Sequence, residues 1–259
     1  MNKENYEYYG LMASTWDLFR GDTSRWEDKF FYLDLISTYG QPVLDVGCGT
    51  GRLVLDYLSQ GLDVDAIDNS PDMLAICQEK AERLGLTPDL YQQPMELLEL
   101  PRNYKTIIVP SSSFQLLTSR ALAKQAMQQM YDHLLPEGIL AMPFMTLWEA
   151  GAPINMDWTL IHEVAHPDDG TVLRRWLKNR IEVDDQLEHT QDRYEVMRDG
   201  KIIHSELHQQ SPATRWYTQS QAVRLYKDAG FANIQVFKGF SKEDATATDK
   251  LFTVVGQKS

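Results

Sequence analysis

Cysteine is nearly absent: the 259 residues include only Cys48 and Cys77. Two thiols cannot staple a chain of this length, and without a Cys-x-x-Cys pair there is no thiolate set for structural zinc. A fold without staples must bury its own core, and 43% hydrophobic residues are enough for that. Positive charge is also scarce. The 25 Lys and Arg are outnumbered by 37 Asp and Glu, leaving a formal charge of −12. That average field repels polyanions, which argues against nucleic acid and anionic membranes as partners. Long apolar runs are missing, since none reaches the roughly 20 residues of a membrane span. The polar start MNKENYEYYG lacks the apolar segment of a signal peptide. Scarce cysteine and a missing leader lead to the expectation of a cytoplasmic protein. No repeat or low-complexity tract interrupts the chain.

What is present is alternation. Residues 43–46 read as a short buried strand ending in glycines, 53–59 as a helix closed by Gly61, and 64–67 as a second strand. Ser70 caps the next helix, with Pro71 at its first position, where a missing N–H costs nothing. That helix runs to about Leu84 and stops at Gly85. Strands follow at 89–91, 106–109 and 139–142, with a helix at 121–135 stopped by Pro136-Glu137-Gly138. Strand, helix, strand, helix at this spacing means βαβ units and a parallel sheet. Right-handed crossovers gather the helix-leading loops at one edge, where α/β sheets bind ligands.

After Pro143 the period changes, and from about Trp158 to Gln210 the chain reads as strands rather than helices. Residues 172–183, 187–197 and 201–209 are extended runs joined by Asp184-Asp185 and Asp199-Gly200 turns. Counting outward from Asp199-Gly200 pairs Glu195 with His204 and Arg193 with Glu206. Helix returns at 218–229, and strands at 233–237 and 251–255 close the chain. The expected fold is α/β, a Rossmann-like, mostly parallel sheet with helices on both faces. Residues 1–143 and 211–259 make that core, and 144–210 form an inserted antiparallel meander.

The chemistry concentrates in Asp45-Val46-Gly47-Cys48-Gly49-Thr50-Gly51, between the first strand and the first helix. Glycines there permit left-handed torsions and let a ligand lie against the backbone. The helix start behind them offers N–H groups to an anion such as a carboxylate. A dinucleotide fingerprint, G-x-G-x-x-G, would need glycine at position 52, but Arg52 stands there and Gly51 comes one residue early. That spacing argues against a pyrophosphate cofactor. Asp68, 17 residues beyond Gly51, ends the second strand. A carboxylate there can accept two hydrogen bonds from a ribose diol. Loop and carboxylate together call for an adenosine-type ligand.

The 45–51 stretch resembles the first motif of class I S-adenosylmethionine-dependent methyltransferases. Asp68-Asn69-Ser70-Pro71-Asp72-Met73-Leu74 resembles the second. Residues 107–114 resemble the fourth-strand motif, where methyl donor and acceptor meet; 135–140 and 229–231 are similar to the turns before the fifth and sixth strands. The resemblance spans roughly 40–143 and 216–257. It implies a seven-stranded sheet of order 3-2-1-4-5-7-6, S-adenosylmethionine as cofactor and S-adenosylhomocysteine as product. It also implies roles. Gly47, Cys48, Gly49 and Gly51 lie along the methionine part, with Asp45 ordering the loop and the amino group. Asp68 holds the ribose hydroxyls, and Met73 and Met95 sandwich the adenine. Pro94 stands where the family often has an acidic adenine contact, leaving Gln93 or Glu96 as substitutes. Asn69, Pro110, Ser111, Tyr9 and Trp16 complete the expected cofactor set.

The meander resembles that of glycine and nucleotide-amino-sugar N-methyltransferases, which roof the acceptor site with such strands. Tyr6-Glu7-Tyr8-Tyr9 and Trp16-Asp17 resemble their N-terminal cap, and Arg215-Trp216-Tyr217-Thr218 their entry to the late helix. The implied reaction is in-line methyl transfer to nitrogen, or oxygen, of a small molecule, with nitrogen favoured by the meander alone. His162, Ser112, Tyr217 and Arg215 are the acceptor-side candidates, and none is singled out as a base. No metal is expected: His204, Glu206 and His208 share a strand face that reads as solvated. The alternatives are a catalytically silent S-adenosylmethionine-binding module and, disfavoured by Arg52, an NAD-dependent oxidoreductase. Monomer and homodimer both fit.

Overall fold

Four consecutive buried residues make Val43–Val46 (β1) a strand suited only to a sheet interior. The computed structural model describes residues 8–259. In it β1 is followed by Val64–Asp68 (β2), Asp89–Gln92 (β3), Tyr104–Ile108 (β4) and Leu134–Met145 (β5). β1 lies between β2 and β4, β3 pairs with β2 and β5 with β4, all parallel. The second sheet consists of Asn155–Ala165 (β6), Val172–Glu182 (β7), Leu187–Arg198 (β8) and Lys201–Arg215 (β9) in antiparallel sequence order. Ala232–Lys238 (β10) and Leu251–Gln257 (β11) then return to the first sheet, both antiparallel to their neighbours. The order β3-β2-β1-β4-β5-β11-β10 reads 3-2-1-4-5-7-6 when strands are counted within that sheet.

Helices cover both faces. Glu27–Tyr39 (α3), Val54–Ser59 (α4) and Pro71–Leu84 (α5) bury Tyr32, Ile36, Tyr57 and Cys77 on one side. Arg120–Asp132 (α6) and Gln219–Ala229 (α7) bury Met127, Met130 and Tyr226 on the other. Local chemistry sets the ends. Ser70 Oγ accepts the Met73 N–H at 3.1 Å, and Thr218 and Gln221 form a reciprocal capping box. Two short helices, Gly10–Ser14 (α1) and Trp16–Arg20 (α2), precede α3.

Four features depart from the sequence reading. The reading placed no helix between Asp17 and Pro42, yet α3 is there. Apolar Phe30, which is exposed, and Leu33 sit beside the buried Phe31 and Tyr32, so no clean helical stripe shows. The helix expected to reach 135 ends at Asp132, and β5 starts at Leu134, because the sheet captures Leu134 beside Tyr104. The meander has four strands, β6 preceding the three expected runs, and β9 reaches Arg215 rather than 209. Its register also slips. A bulge at Ile203 pairs Val196 with His204 and Tyr194 with Glu206, displacing the expected Glu195–His204 and Arg193–Glu206 pairs. A one-residue shift moves each side chain to the opposite face.

That face is covered at one end only: His208 is 4% exposed, not solvated as expected, whereas His204 is exposed. Glu206 accepts from the Leu11 N–H at 2.7 Å and pairs with His204 and His208. The Tyr9 ring lies tilted against His208 at 4.4 Å, and Phe19 stacks on His162 at 5.2 Å. The four-stranded sheet therefore rests on the N-terminal helices. Those helices are tied in turn to the core. Gly10 N–H donates to Asp72 Oδ2 at 2.9 Å, Ser70 Oγ to the Tyr8 carbonyl, and Thr50 Oγ1 to Asp17 Oδ1 at 2.7 Å. Of the tyrosine-rich start, Tyr6 and Glu7 lie outside the described residues.

Candidate active site

The turn after β1 can be made only by residues without a side chain. Gly47 has φ +76°, and a Cβ on it would sit 2.9 Å from the Ser113 side chain. Gly51 has φ +87°, and its Cβ would sit 2.5 Å from Cys77 Sγ. Between them the backbone is pinned to β2. Gly47 and Cys48 donate to the Ile67 carbonyl at 2.8 and 3.0 Å, and Gly49 N–H donates to Asp68 Oδ2 at 2.8 Å. Asp68 Oδ1 accepts from Ser70 N–H at 2.9 Å. Burial raises the Asp68 pKa, and the N–H groups of Ser70, Gly49 and Asn69 oppose that rise. With three N–H groups on its two oxygens, the carboxylate still keeps acceptor capacity for a ligand hydroxyl.

Asp45 has a different environment. It is 1% exposed, and among the described residues neither carboxylate oxygen closes a hydrogen bond of normal geometry, although the Val54 N–H comes near enough to hold its pKa down in part. Burial pushes its pKa up to about 7, offset in part by the Arg52 cation. An unpaired buried acid is costly unless something else completes it. Arg52 does not; its guanidinium is held by both Asp28 oxygens.

Asp45 opens onto a cavity of about 330 Å³. Gly47, Cys48 and Gly49 line it from the turn, with Asp68, Asn69 and Met73 from the end of β2 and the start of α5. Met95 and Glu96 line it after β3, and Pro110, Ser111 and Ser112 after β4. Trp16 closes it from the cap, with the Tyr8 ring edge-on at 5.0 Å and the Arg20 guanidinium 3.8 Å over its ring. Gly51 and Tyr9 are not in the wall: Gly51 packs against α5, and Tyr8 takes the place expected of Tyr9. Gln93 lines the cavity, but its Oε1 accepts the Glu99 N–H at 2.7 Å.

The acceptor-side candidates separate. Ser112 is in the wall. Arg215 instead donates to the Thr118 and Asp185 carbonyls at 2.7 and 2.5 Å. Tyr217 is buried against Phe114 and Phe144. His162 lies on Phe19, where burial and the Arg175 cation hold its imidazole below the usual range. Among the described residues, no side chain of the four-stranded sheet lines this cavity. Two residues escaped the sequence reading. Arg20 sits on a five-residue helix too short to show periodicity. Gln115, fully buried, bonds to Met145 N and O and to the Arg215 carbonyl, joining the ends of β5 and β9. Nothing local in the sequence marks such a clamp.

Comparison with known proteins points the same way. Residues 43–138 match the methyltransferase domain family. A candidate methyltransferase of Geobacillus sp. (strain WCH70) is 27% identical over 217 residues, covering 83% of this chain and 84% of that protein. The dTDP-3-amino-3,6-dideoxy-α-D-glucopyranose N,N-dimethyltransferase of Streptomyces fradiae is 26% identical over 200 residues, 73% of this chain and 69% of that protein. A solved S-adenosylmethionine-dependent methyltransferase from Clostridium acetobutylicum superposes with a TM-score of 0.75 at 19% identity, covering 94% and 96% of the two chains. The protein is an S-adenosylmethionine-dependent methyltransferase, and S-adenosylmethionine is its cofactor. Two carboxylates on the cavity wall, Asp45 buried beside the turn and Asp68 across it, suit a molecule that carries an ammonium and hydroxyl groups. No helix among the described residues is long and apolar enough to cross a membrane.

Proposed function

We propose that this methyltransferase transfers the cofactor's methyl group to nitrogen of a small-molecule acceptor. The observation that carries the cofactor half is Asp45, a buried carboxylate that lines the cavity and closes no hydrogen bond of normal geometry among the described residues. In this reading Asp45 takes the ammonium of the cofactor's amino-acid head, and Gly47, Cys48 and Gly49 lie along its chain. Asp68, with Asn69, receives the ribose hydroxyls. Met73 and Met95 pack on the adenine, and Glu96 stands in for the acid replaced by Pro94. Pro110, Ser111 and Ser112 face the transferred group. The nitrogen preference draws support from the amino-sugar relative, whose match extends over 200 residues.

When bound, the cofactor supplies a methyl group already activated by its sulfonium. The chain's contribution is placement, which supplies up to about 7–11 kcal/mol in well-aligned cases. Trp16 and Tyr8, held down by the four-stranded sheet, exclude water from above.

Asp45 gives this reading a pH signature. Its folded pKa of about 7 lies above the 3.8 of a free aspartate side chain, so without ligand the folded state holds its proton more tightly than the unfolded chain. That contribution to stability is full below 3.8 and is lost as pH rises through 7. An ammonium prefers the ionised acid. Affinity for S-adenosylhomocysteine is therefore expected to rise as pH climbs through about 7, for as long as the ligand's amino group stays protonated. Calorimetry at pH 6.5 in buffers of different ionisation enthalpy will show proton release on binding, and Asp45→Asn will abolish it. A pH-independent affinity between 5.5 and 7.5 would remove Asp45 from this role.

The reaction itself is tested by S-adenosylhomocysteine formation against pooled amines, hydroxyls, thiols and carboxylates. Turnover with the amine pool is expected. Turnover confined to the hydroxyl pool would replace nitrogen by oxygen. Tight cofactor binding with no turnover in any pool would favour a silent module.

A further inference from the structure

A second cavity, of about 480 Å³, adjoins the first and shares Arg20, Ser111 and Ser112 with it. Its floor is apolar, built from Pro143 and Met145 at the end of β5 and Phe240 from the β10–β11 connection. Arg25 and Trp26 border it ahead of α3.

Charge sets this cavity apart. Elsewhere the guanidiniums of this acidic chain are mostly neutralised: Arg52 by Asp28, Arg102 by Asp63 and Asp65, Arg175 by Asp192. Arg20 has no carboxylate partner among the described residues and is held only by aromatic faces, 3.8 Å above Trp16 and 5.5 Å from Trp26. Arg25 is likewise unpaired among the described residues. Of the acids in this wall, Asp28 is already occupied by Arg52, and Glu27 is exposed. Burial lowers the Arg20 pKa to about 10. A buried cation without an anion is unfavourable, and a cation–π contact returns only about 0.5–2 kcal/mol. Asp17 and Asp28 offset that burial only in part, so among the described residues Arg20 has room for an anion that no carboxylate fills at ion-pair distance.

Two ligands could bring that anion: the cofactor, through its carboxylate, or the acceptor. Arg25 lines the second cavity and not the first. Two guanidiniums beside an apolar floor, meeting the cofactor cavity at Ser111 and Ser112, answer to a ligand outside the cofactor. We propose that this second cavity is the acceptor pocket, and that it selects molecules joining an apolar body to a carboxylate or phosphate held by Arg20 and Arg25. The assignment rests on the methyl-transfer reading above. It places the acceptor between the α2–α3 connection and the β10–β11 connection rather than beneath the four-stranded sheet.

The test is calorimetry on the full chain saturated with S-adenosylhomocysteine, titrated with phenyl phosphate, benzoate and benzyl alcohol. At least one of the two anions is expected to bind about tenfold or more tightly than the alcohol, since a hydrogen bond to a charged group contributes about 1.5–3 kcal/mol. Comparing phosphate with carboxylate identifies which anion the pocket prefers. Arg25→Met and Arg20→Met are each expected to weaken the anion by about tenfold or more on the same grounds, with Arg20→Lys recovering part of the loss. Benzyl alcohol binding as well as both anions, no binding of either anion, or anion binding indifferent to both arginines would each overturn the proposal. So would an Arg20→Met variant that loses S-adenosylhomocysteine but keeps 5′-methylthioadenosine, which lacks the carboxylate; Arg20 would then serve the cofactor. Thermal unfolding checks each variant, and the exposed Arg25 supplies the test should Arg20→Met not fold. If the unmodified chain fails to bind S-adenosylhomocysteine, the methyl-transfer reading fails, and the same titrations without it still measure the pocket's selectivity.

Discussion

Asp68→Ala will weaken S-adenosylhomocysteine binding by roughly two orders of magnitude or more. The carboxylate does two things at once. It accepts the Gly49 and Ser70 N–H groups at 2.8 and 2.9 Å, which joins the glycine turn to the start of α5. It also keeps lone pairs free toward the cavity for the ribose. Hydrogen bonds to a charged acceptor contribute about 1.5–3 kcal/mol each, so the loss of two such bonds accounts for a factor of about 100. Asp68→Asn keeps one acceptor oxygen and should fall between the alanine variant and the unmodified enzyme. The measurement is a calorimetric Kd for S-adenosylhomocysteine. An alanine variant within about threefold of the unmodified Kd would mean that the carboxylate does not contact the cofactor.

Gly51→Ala will lower the thermal midpoint by roughly 5–15 °C, given about 2–4 °C per kcal/mol in a chain of this size. Two costs combine. A left-handed conformation costs a residue with a Cβ about 1–2 kcal/mol, and φ at Gly51 is +87°. The new carbon would also lie 2.5 Å from Cys77 Sγ and 3.0 Å from the Leu55 side chain. Cys77 is fully buried on α5, and overfilling a packed core costs about 1–3 kcal/mol more. The double variant Gly51→Ala with Cys77→Ala separates the two, because it relieves the crowding and leaves the torsion strained. Differential scanning fluorimetry reads both. A single variant melting within about 2 °C of the unmodified enzyme, under 1 kcal/mol on the same scale, would show that α5 is not packed against this turn as described.

The two halves of the molecule differed in how readily they could be read. The glycine turn and Asp68 were legible because each is a local requirement. A backbone that turns left-handed against another helix admits only glycine, and a strand of known length delivers its last side chain to a known edge. Ser70 and Thr218 announced their helices through capping, another short-range effect. The meander was legible as strands, but its register depended on the bulge at Ile203, which the Asp199-Gly200 turn does not encode. Arg215, Tyr217 and His162 were sensible acceptor candidates by type. Their fates were set by neighbours 30 to almost 150 positions away in the chain, such as Asp185, Thr118, Phe114 and Phe19.

By itself, then, the sequence determined the α/β alternation, the sheet's ligand edge and the residues of the glycine turn, because those follow from periodicity and backbone sterics over a few residues. The tertiary structure alone decided that α3 exists with apolar residues outside its buried face, that the four-stranded sheet rests on α1 and α2, and that Gln115 joins β5 to β9. It alone left Asp45 buried without a hydrogen bond of normal geometry among the described residues and set Arg20 at the junction of two cavities. Each of these is a contact between distant segments, and a side chain's partner across space is fixed by packing, which no local pattern records.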